Sequence, residues 1–257
     1  MSRLRIAPPP GLLPPLTEAC PGHAGRQKVD CGTCQVRHLA VCSALSPEET
    51  EEMERAAGQL QLAPNELLVR QGQARIHVYS VTSGTLRTVR LMADGRRQVT
   101  GFLLPGDFIG LSGSAVHALD IEAVTASALC RFSQQDMRQL RTRFPHIERK
   151  MLERAFGELD ANREYVVALA RMSPVERLAD FLLRLSARHA RLGQDTPMLV
   201  LPMGRGDIAD HLGLTVETVS RSFTKLRQQQ LIALHGVQNV ELLDRERLGA
   251  LVHQGEA

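Results

Sequence analysis

The stretch that most constrains the fold is GRGDIADHLGLTVETVSRSFTKLRQQQLI, residues 204–232, because it predicts two short helices joined by a tight turn. Gly213 suits such a turn, and Thr215 is a good cap for the second helix. Three apolar side chains recur at helical spacing on that second helix: Val219, Phe223 and Leu226. Since this face must be covered, we expect the first helix to pack against it and form a helix-turn-helix.

The polar face of the second helix carries side chains that can read base pairs in a major groove. Arginine can donate two hydrogen bonds to guanine O6 and N7, glutamate can accept from the amino group of cytosine, and serine can bind a base or a phosphate. We expect the following residues at an interface with double-stranded DNA: Thr215, Glu217, Thr218, Ser220, Arg221 and Lys225. The next segment, LIALHGVQNVELLD, predicts a two-stranded wing that turns at Gly236. A helical hairpin whose polar face is merely solvated has the same local pattern. The choice between that structure and a DNA-binding one therefore depends on the rest of the chain.

Residues 62–133 consist of short apolar stretches separated by glycines, a pattern that predicts a small antiparallel β-roll or barrel. Asp94 and Gly95, between two strand-like runs, indicate a tight hairpin. In the last run, alternate residues from Val124 to Phe132 share one face, and Cys130 is among them. We therefore expect Cys130 to point inward.

A long helix is predicted to begin after Phe144 and Pro145. Apolar residues recur along it at alternating spacings of three and four, the heptad pattern of helices that pack along one another. The seam consists of Leu152, Ala155, Leu159, Asn162, Val166 and Leu169. It predicts a parallel homodimer, which the polar Asn162 makes marginal. Alternatively the seam packs on the chain's own roll, although Met151 and Phe156 lie off the seam and could serve that contact.

Together the elements predict an α+β fold with an antiparallel β-roll, a long helix and a winged helix-turn-helix. The expected segments are a proline-rich flexible arm at 1–30, a cysteine loop plus sensor roll at 31–143, a dimerisation helix at 144–171 and a DNA-binding domain at 172–257. A formal charge of +3 over 257 residues is too small for a non-specific nucleic-acid coat. No apolar run is long enough to cross a bilayer, so we expect a cytoplasmic protein with no membrane partner.

Three of the five cysteines lie in CGTCQVRHLAVC, residues 31–42. In a reducing compartment, clustered thiols in odd number favour metal or redox chemistry over disulfides. A thioredoxin-like role for the CxxC pair would need a surrounding βαβ pattern, which the sequence does not have. The cluster therefore points to a metal or a metal-containing cofactor.

The order of these parts resembles the CRP/FNR superfamily of bacterial transcription regulators over nearly the whole chain. The motif LGLTVETVSR carries that resemblance, and CxxCxxRHxAVC with ADGRRQVTGFLLPGDFIG is most similar to the FNR branch, of the FnrL and FnrN type. The resemblance implies a homodimer with a cupin-like roll, similar to cyclic-nucleotide-binding domains, that controls anaerobic or microaerobic genes. It also implies that Glu217, Ser220 and Arg221 read TTGAT-like half-sites, and that surface loops such as LMADGRR contact RNA polymerase.

In the FNR branch four cysteines hold an oxygen-labile [4Fe-4S] cluster. Cys31, Cys34 and Cys42 match the three amino-terminal ligands and Cys130 matches the distal one, so the resemblance implies a cluster at these thiols. Cys20 leaves an alternative open, because with the three loop cysteines it could complete a zinc site and leave Cys130 as a buried apolar residue. Zinc sites usually have paired CxxC motifs, and one such motif is present here.

The sequence departs from the family pattern in the seven residues between Cys34 and Cys42 and in Gly204, which replaces a Thr or Ser cap. A regulator of the FixK type would have no cluster and would keep the cysteines as remnants or as direct redox sensors.

Cyclic-nucleotide binding needs a glutamate after the roll's glycine and a later arginine, whereas PGDFIGLSGSAVHALDIEAVTAS has Asp107 and no arginine, so we expect no cyclic nucleotide. No paired carboxylates and no nucleophile with a base stand out, so we do not expect an enzyme.

Overall fold

A computed structural model describes residues 30–111 and 113–253 and confirms the α+β fold class. An antiparallel β-roll comes first, a long helix follows it, and a winged helix-turn-helix comes last. Most of the predicted arm, with Cys20, lies outside the described residues. Within the described part of the chain, no helix combines the length and apolarity that crossing a bilayer requires.

The cysteine loop, defined here as residues 30–45, is irregular apart from a 3-10 turn at Val41–Ala44. Helix α1 follows at Pro47–Ala56. The Ser46 hydroxyl accepts a hydrogen bond from the Glu49 amide at 3.3 Å, and the Glu49 carboxylate accepts one from the Ser46 amide at 2.9 Å. This reciprocal capping box fixes the point where the loop ends and the helix begins.

In the described residues the roll contains β1 Gly58–Leu62, β2 Leu67–Val69, β3 His77–Ser83, β4 Leu86–Leu91, β5 Arg97–Leu103, β6 Phe108–Ile109, β7 Asp120–Ala123 and β8 Ser127–Ser133. These strands form two antiparallel sheets, in the orders β1-β8-β3-β6 and β2-β7-β4-β5. The two sheets share an apolar interior that includes Val81, Leu86 and Leu129. The predicted hairpin between β4 and β5 is confirmed, and Gly95 adopts the positive φ of 85° that its turn requires.

The last strand of the roll carries Cys130 on its outer face, which corrects the expectation that this thiol points into the roll. Leu129 packs in the roll interior, whereas Cys130 and Phe132 lie on the opposite face, among side chains of the cysteine loop and the neighbouring helices. The strand also begins later than predicted, at Ser127, and Ala126 just before it is exposed. Alternation along this segment therefore holds only within the strand.

Two helices follow the roll, α2 at Gln134–Arg143 and α3 at Pro145–Arg171. With 27 residues, α3 is about 40 Å long. Four of the predicted seam residues are exposed along it: Leu152, Leu159, Asn162 and Val166. The other two, Ala155 and Leu169, are partly buried. Most of the seam is thus accessible to another molecule.

The apolar stripe on α3 is wider than the predicted seam. Phe156 is 62% exposed, so the expectation that it packs on the roll is wrong. Met151, near the start of the helix, does pack against the buried cluster that includes Val78 and Phe132 of the roll, and it serves that contact. Val167 is also largely exposed. The helix therefore presents a long apolar surface, of the kind that marks an interaction site.

The carboxyl-terminal part contains α4 Pro174–Arg191, β9 Met198–Val200, α5 Arg205–Leu212, α6 Val216–Gln228, β10 Ile232–His235, β11 Asn239–Leu242 and α7 Arg245–His253. The predicted helix-turn-helix is confirmed, with Gly213 left-handed at φ 64° between α5 and α6. The Thr215 hydroxyl accepts from the Thr218 amide at 3.2 Å and caps α6 as expected. The wing turns at Gly236, and β9, which the sequence analysis did not predict, adds a third strand to it.

One apolar core joins the roll to the winged helix-turn-helix. Val99 and Phe102 of β5 belong to the same buried cluster as Phe181 of α4 and Phe223 of α6. The rings of Phe102 and Phe181 meet edge to face, with 6.1 Å between their centroids. Two segments that the sequence suggested were separate domains therefore share a core, which fixes how one sits against the other.

We expect Gly84→Ala to destabilise the roll far more than Gly95→Ala. Both glycines have positive φ, which costs any other L-residue about 1–2 kcal/mol. A Cβ at Gly84 would also meet backbone, with Ser127 Cα at 2.6 Å and the Ala126 carbonyl oxygen beside it, whereas a Cβ at Gly95 meets nothing within 4 Å. At Gly84, but not at Gly95, overpacking should therefore add about 1–3 kcal/mol to the loss of folding free energy. Thermal unfolding followed by circular dichroism measures the difference, and equal losses in the two variants would contradict this account.

Candidate cofactor cavity and nucleic-acid interface

Four cysteines from two parts of the chain line one cavity. Cys31 and Cys34 lie in the irregular part of the cysteine loop, Cys42 lies in its 3-10 turn, and Cys130 lies in the middle of β8. In the sheet, Cys130 is paired with Ser80 of β3. The structure thus brings together all four residues that the resemblance implies as ligands.

The rest of the cavity wall is mostly apolar. The cavity measures about 450 Å³ including its open mouth, and its other walls are Val36, Ala40, Val41, Met53, Ser80, Thr82, Phe108 and Phe132. Ser80 and Thr82 alone add hydroxyl groups to these walls. Such a lining leaves the thiols as the dominant donor groups and favours soft ligation by sulfur.

The cysteine loop is held in place by polar contacts on either side of the thiols. The Arg37 guanidinium donates to the Leu45 carbonyl at 2.9 Å and to the Thr50 hydroxyl at 2.6 Å, which ties the loop to α1. Glu54 of α1 accepts from the Cys31 amide at 3.2 Å. These contacts between protein groups position the loop cysteines without the help of a cofactor.

Burial raises the pKa of two of these thiols. Burial, followed by the nearby Cys42 and Glu54, raises the pKa of Cys31 to about 12. Burial, followed by the nearby Cys34, raises the pKa of Cys42 to about 11. Since metal ligation requires thiolates, binding at this site must release protons and must supply positive charge in their place.

The donor set fits an iron–sulfur cluster, because four thiols surround a largely apolar cavity and each can bind a separate iron. Among the residues that the structure describes, no three His, Cys, Asp or Glu side chains converge on a position for a single metal ion. The alternative zinc site depends on Cys20, which lies outside the described residues. His38 does not line the cavity: it is exposed, and its Nε2 lies 3.4 Å from the Arg191 carbonyl oxygen.

The second site is the outer face of α6. Glu217, Ser220, Arg221 and Lys225 are all exposed on it, while the opposite face is buried. Contacts within the helix hold two of these groups in place: the Ser220 hydroxyl donates to the Val216 carbonyl at 2.9 Å, and the Arg221 Nε donates to the Glu217 carbonyl at 3.4 Å. The pKa of Glu217 is lowered by hydrogen bonds from its own amide and from Thr215, so its carboxylate is an acceptor at neutral pH.

Asp107 occupies the position where cyclic-nucleotide binding would need a glutamate, and its carboxylate already has partners within the protein. Its carboxylate accepts from the Leu104 amide at 2.8 Å and pairs with the Arg188 guanidinium of α4. Arg188 also donates to the Phe102 carbonyl at 2.8 Å. The absence of cyclic-nucleotide binding remains a prediction, and these contacts give Asp107 a role in joining α4 to the roll.

Several contributors to these sites were not predicted from the sequence. Arg37 lies inside the CxxCxxRHxAVC motif, yet nothing in its local pattern pointed to Leu45 or Thr50. Glu54 belongs to an acidic run that looks like a solvated helix face, and its contact with the loop becomes visible only in three dimensions. The arginine–aspartate pairs between the roll and α5 were not predicted either.

Comparison with known proteins agrees with this architecture. A model of the Crp-like helix-turn-helix domain matches residues 176–251, and a model of the cyclic nucleotide-binding domain matches residues 59–144. The chain is 38% identical over 222 residues to the nitrogen fixation regulation protein FixK of Bradyrhizobium diazoefficiens, with 86% of this chain and 93% of that protein covered. It is 36% identical to the transcriptional activator protein FnrL of Cereibacter sphaeroides, with 85% and 90% covered.

Among solved structures, that of FixK2 from Bradyrhizobium japonicum is similar to this chain, with a TM-score of 0.70 and 32% identity. The similarity covers 76% of this chain and 96% of that one. A roll of the cyclic nucleotide-binding domain type joined to a Crp-like helix-turn-helix defines a DNA-binding regulator. The chain belongs to the CRP/FNR family of transcription regulators.

Proposed function

We propose that this protein is an oxygen-responsive transcription regulator that holds a [4Fe-4S] cluster and binds palindromic DNA as a homodimer in the cytoplasm. The observation that carries the proposal is the convergence of Cys31, Cys34, Cys42 and Cys130 on one cavity. When bound, a cluster of this kind supplies sensitivity to oxygen, because oxygen destroys it. Four thiolates are the ligand set that such a cluster takes.

The four cysteines act on the fold by tying the cysteine loop to β8. Cys42 and Cys130 are separated by about 90 residues, so joint ligation closes a long loop that the chain would otherwise leave to weaker contacts. The cysteine loop packs in the same buried cluster as Ile147 at the start of α3. Ordering the loop therefore also orders the first turns of the helix that carries the dimer seam.

The exposed stripe on α3 supports the homodimer. Leu152, Leu159 and Val166 are 51%, 47% and 63% exposed, which is unusual for aliphatic side chains of a helix that could bury them. Their heptad spacing matches packing against an identical helix. The exposed Asn162 in the same seam keeps that packing marginal, so a change at the cysteine loop could shift the balance between monomer and dimer.

DNA reading is assigned to the outer face of α6. We propose that Arg221, Glu217 and Ser220 read the half-site in the major groove, with Thr215 and Thr218 at the helix start beside the DNA backbone and Lys225 beside a phosphate further along. In a dimer the two α6 helices would meet two half-sites of a palindrome. FnrL carries the name of a transcriptional activator, which supports activation and a contact with RNA polymerase for this chain as well.

A second candidate is a regulator of the same family without a cluster. The similarity to FixK favours it, and 38% identity to FixK against 36% to FnrL does not separate the two. In that case the cysteines would respond directly to oxidation or have no role in sensing. The cavity favours the cluster, because Cys130 lines it together with the three loop cysteines. Cysteines without a shared ligand would not need to lie together in this way.

Iron content tests the proposal directly. Protein purified without oxygen should be brown and contain about four irons and four sulfides per chain. Cys130→Ala should lose them, whereas Cys20→Ala should keep them. DNA binding in a gel shift should be strong in the anaerobic wild type and weak after exposure to air.

The controls separate the alternatives. Zinc in the purified protein, retained in Cys130→Ala and lost in Cys20→Ala, would establish the zinc site. A colourless protein with neither metal, and with equal DNA binding in both atmospheres, would establish the cluster-free regulator.

We expect Arg221→Ala and Lys225→Ala to weaken DNA binding in different ways. Loss of the paired hydrogen bonds to guanine should cost about 1–3 kcal/mol and relax the preference at one base pair. Loss of a phosphate contact should weaken binding to all sequences alike and reduce the salt dependence by about one counterion. Fluorescence anisotropy over a salt series, with matched and mismatched half-sites, distinguishes the two. An identical effect of both variants on every site would contradict the assigned roles.

A further inference from the structure

The first helix of the helix-turn-helix, α5, is attached to the roll by charged side chains. The Asp207 carboxylate accepts from the Arg87 guanidinium at 3.1 Å and from the Arg97 guanidinium at 2.7 Å. The side chain of Asp207 is only 10% exposed and that of Arg87 only 13%. At this burial an ion pair is poorly screened by salt, and removal of one partner leaves a charge with no compensation.

A second aspartate of the same helix joins this network. Arg97 donates to the Asp210 carboxylate, through its Nε at 2.9 Å and its Nη2 at 2.7 Å. Arg87 is held in turn by Glu122 of β7 at 2.7 Å. Two arginines of the roll thus form ion pairs with three carboxylates, two of which belong to α5. We call this set of five side chains the docking network.

The carboxyl end of α5 is attached as well. The last carbonyl groups of a helix have no partner inside it and must find one elsewhere. Gln98 of β5 donates to the carbonyls of Asp210 and His211, and Tyr165 of α3 also donates to the His211 carbonyl. The end of α5 is therefore capped by the roll and by the dimer helix as well as by its own following turn, in which the Gly213 amide donates to the Ala209 carbonyl.

His211 adds an apolar contact at the same place. Its ring is stacked on Tyr165 at 4.9 Å between centroids, and its Nδ1 lies 3.1 Å from the Val99 carbonyl oxygen. Burial is the main cause that lowers the pKa of His211, so the ring is neutral at physiological pH and Nδ1–H can donate to that carbonyl. Tyr165 is the neighbour of the seam residue Val166, so the dimer seam and α5 meet within one turn of α3.

We propose that Arg87, Arg97 and Gln98 are positioning residues for DNA binding, which hold α5 on the roll so that α6 presents its reading face outward at a fixed angle. The proposal rests on the proposed function. In the docked arrangement Glu217 and Arg221 are exposed and α5 is covered, so docking and DNA reading use opposite sides of the helix-turn-helix.

Docking matters because a palindrome demands two reading helices at a set distance. Half-sites lie about one DNA turn apart, and each α6 must enter its groove in register with the other. A helix-turn-helix released from the roll would have to be oriented anew at each binding event. We therefore expect release to weaken binding to the whole palindrome and to reduce the dependence on half-site spacing, while base preference within one half-site stays intact.

The test uses the more exposed pair of the network, Arg97 with Asp210, because Arg87 remains to hold Asp207. Arg97→Gln should weaken binding to the palindrome by roughly tenfold, Asp210→Asn by less because it leaves the Arg97–Asp207 pair intact, and the double variant should be little weaker than Arg97→Gln alone. Palindromes with half-sites moved apart by one or two base pairs should lose their disadvantage in these variants. Arg96→Gln is the matched control, since among the described residues Arg96 forms an ion pair with the neighbouring exposed Asp94 alone.

Hydrogen exchange of the free protein provides a readout that does not depend on DNA. Amides of α5 and β5 should exchange faster in Arg97→Gln than in the wild type, with dimer mass and iron content unchanged. Unchanged affinity and spacing preference, or tighter binding, would overturn the positioning role. Failure of the wild type itself to bind any palindrome would instead overturn the proposed function, so the two failures are distinguishable.

Discussion

The shared core between β5 and α4 is the constraint on which the arrangement of this protein depends. Phe102 of the roll packs against Phe181 of α4, and the carbonyl oxygen of Val99, on the same strand as Phe102, lies 3.1 Å from Nδ1 of His211. Because these side chains are buried from both directions, the helix-turn-helix cannot turn relative to the roll without exposing apolar surface at a cost of about 25 cal/mol per Å². The charged contacts around this core then select one orientation, since they are directional where apolar packing is not. Cohesion and orientation thus come from different interactions at the same interface.

Much of the fold follows from signals that act within a few residues. The turn at Gly213 and the cap at Thr215 depend on neighbours a few positions away, and both were predicted correctly. Contacts over long separations were not predictable in this way. Asp207 on α5 looks like any acidic residue in a first helical turn, and nothing near it in the sequence indicates Arg87, 120 positions earlier. The family resemblance, not the spacing, is what placed Cys130 with the loop cysteines.

The side of the sheet that Cys130 occupies shows where alternation misleads. A period of two predicts that alternate residues share a face but does not say which face is the interior of the roll. In this roll both faces of the sheet that contains β8 are covered, one by the opposite sheet around Leu129 and the other by the cysteine loop and α1 to α3. A buried residue on such a strand can therefore belong to either side. The placement of Cys130 on the outer side is what allows it to meet thiols from the cysteine loop, because the loop never enters the roll.

The roll separates the two sites and also joins them mechanically. The sheet with β3 and β8 forms a wall of the cysteine cavity, and the sheet with β4 and β5 carries Arg87, Arg97 and Gln98. Between the sheets, fully buried side chains such as Val81 and Leu86 are in one close-packed cluster. Interiors packed at crystal-like density have little free volume, so a displacement of β3 must be accommodated by β4. Tyr165 provides a second connection, since it lies on the helix whose first turn packs beside the cysteine loop and whose last turns reach α5. The cysteine cavity and the helix-turn-helix are thus connected by two packed routes, the roll core and α3, and both routes reach the same short helix, α5.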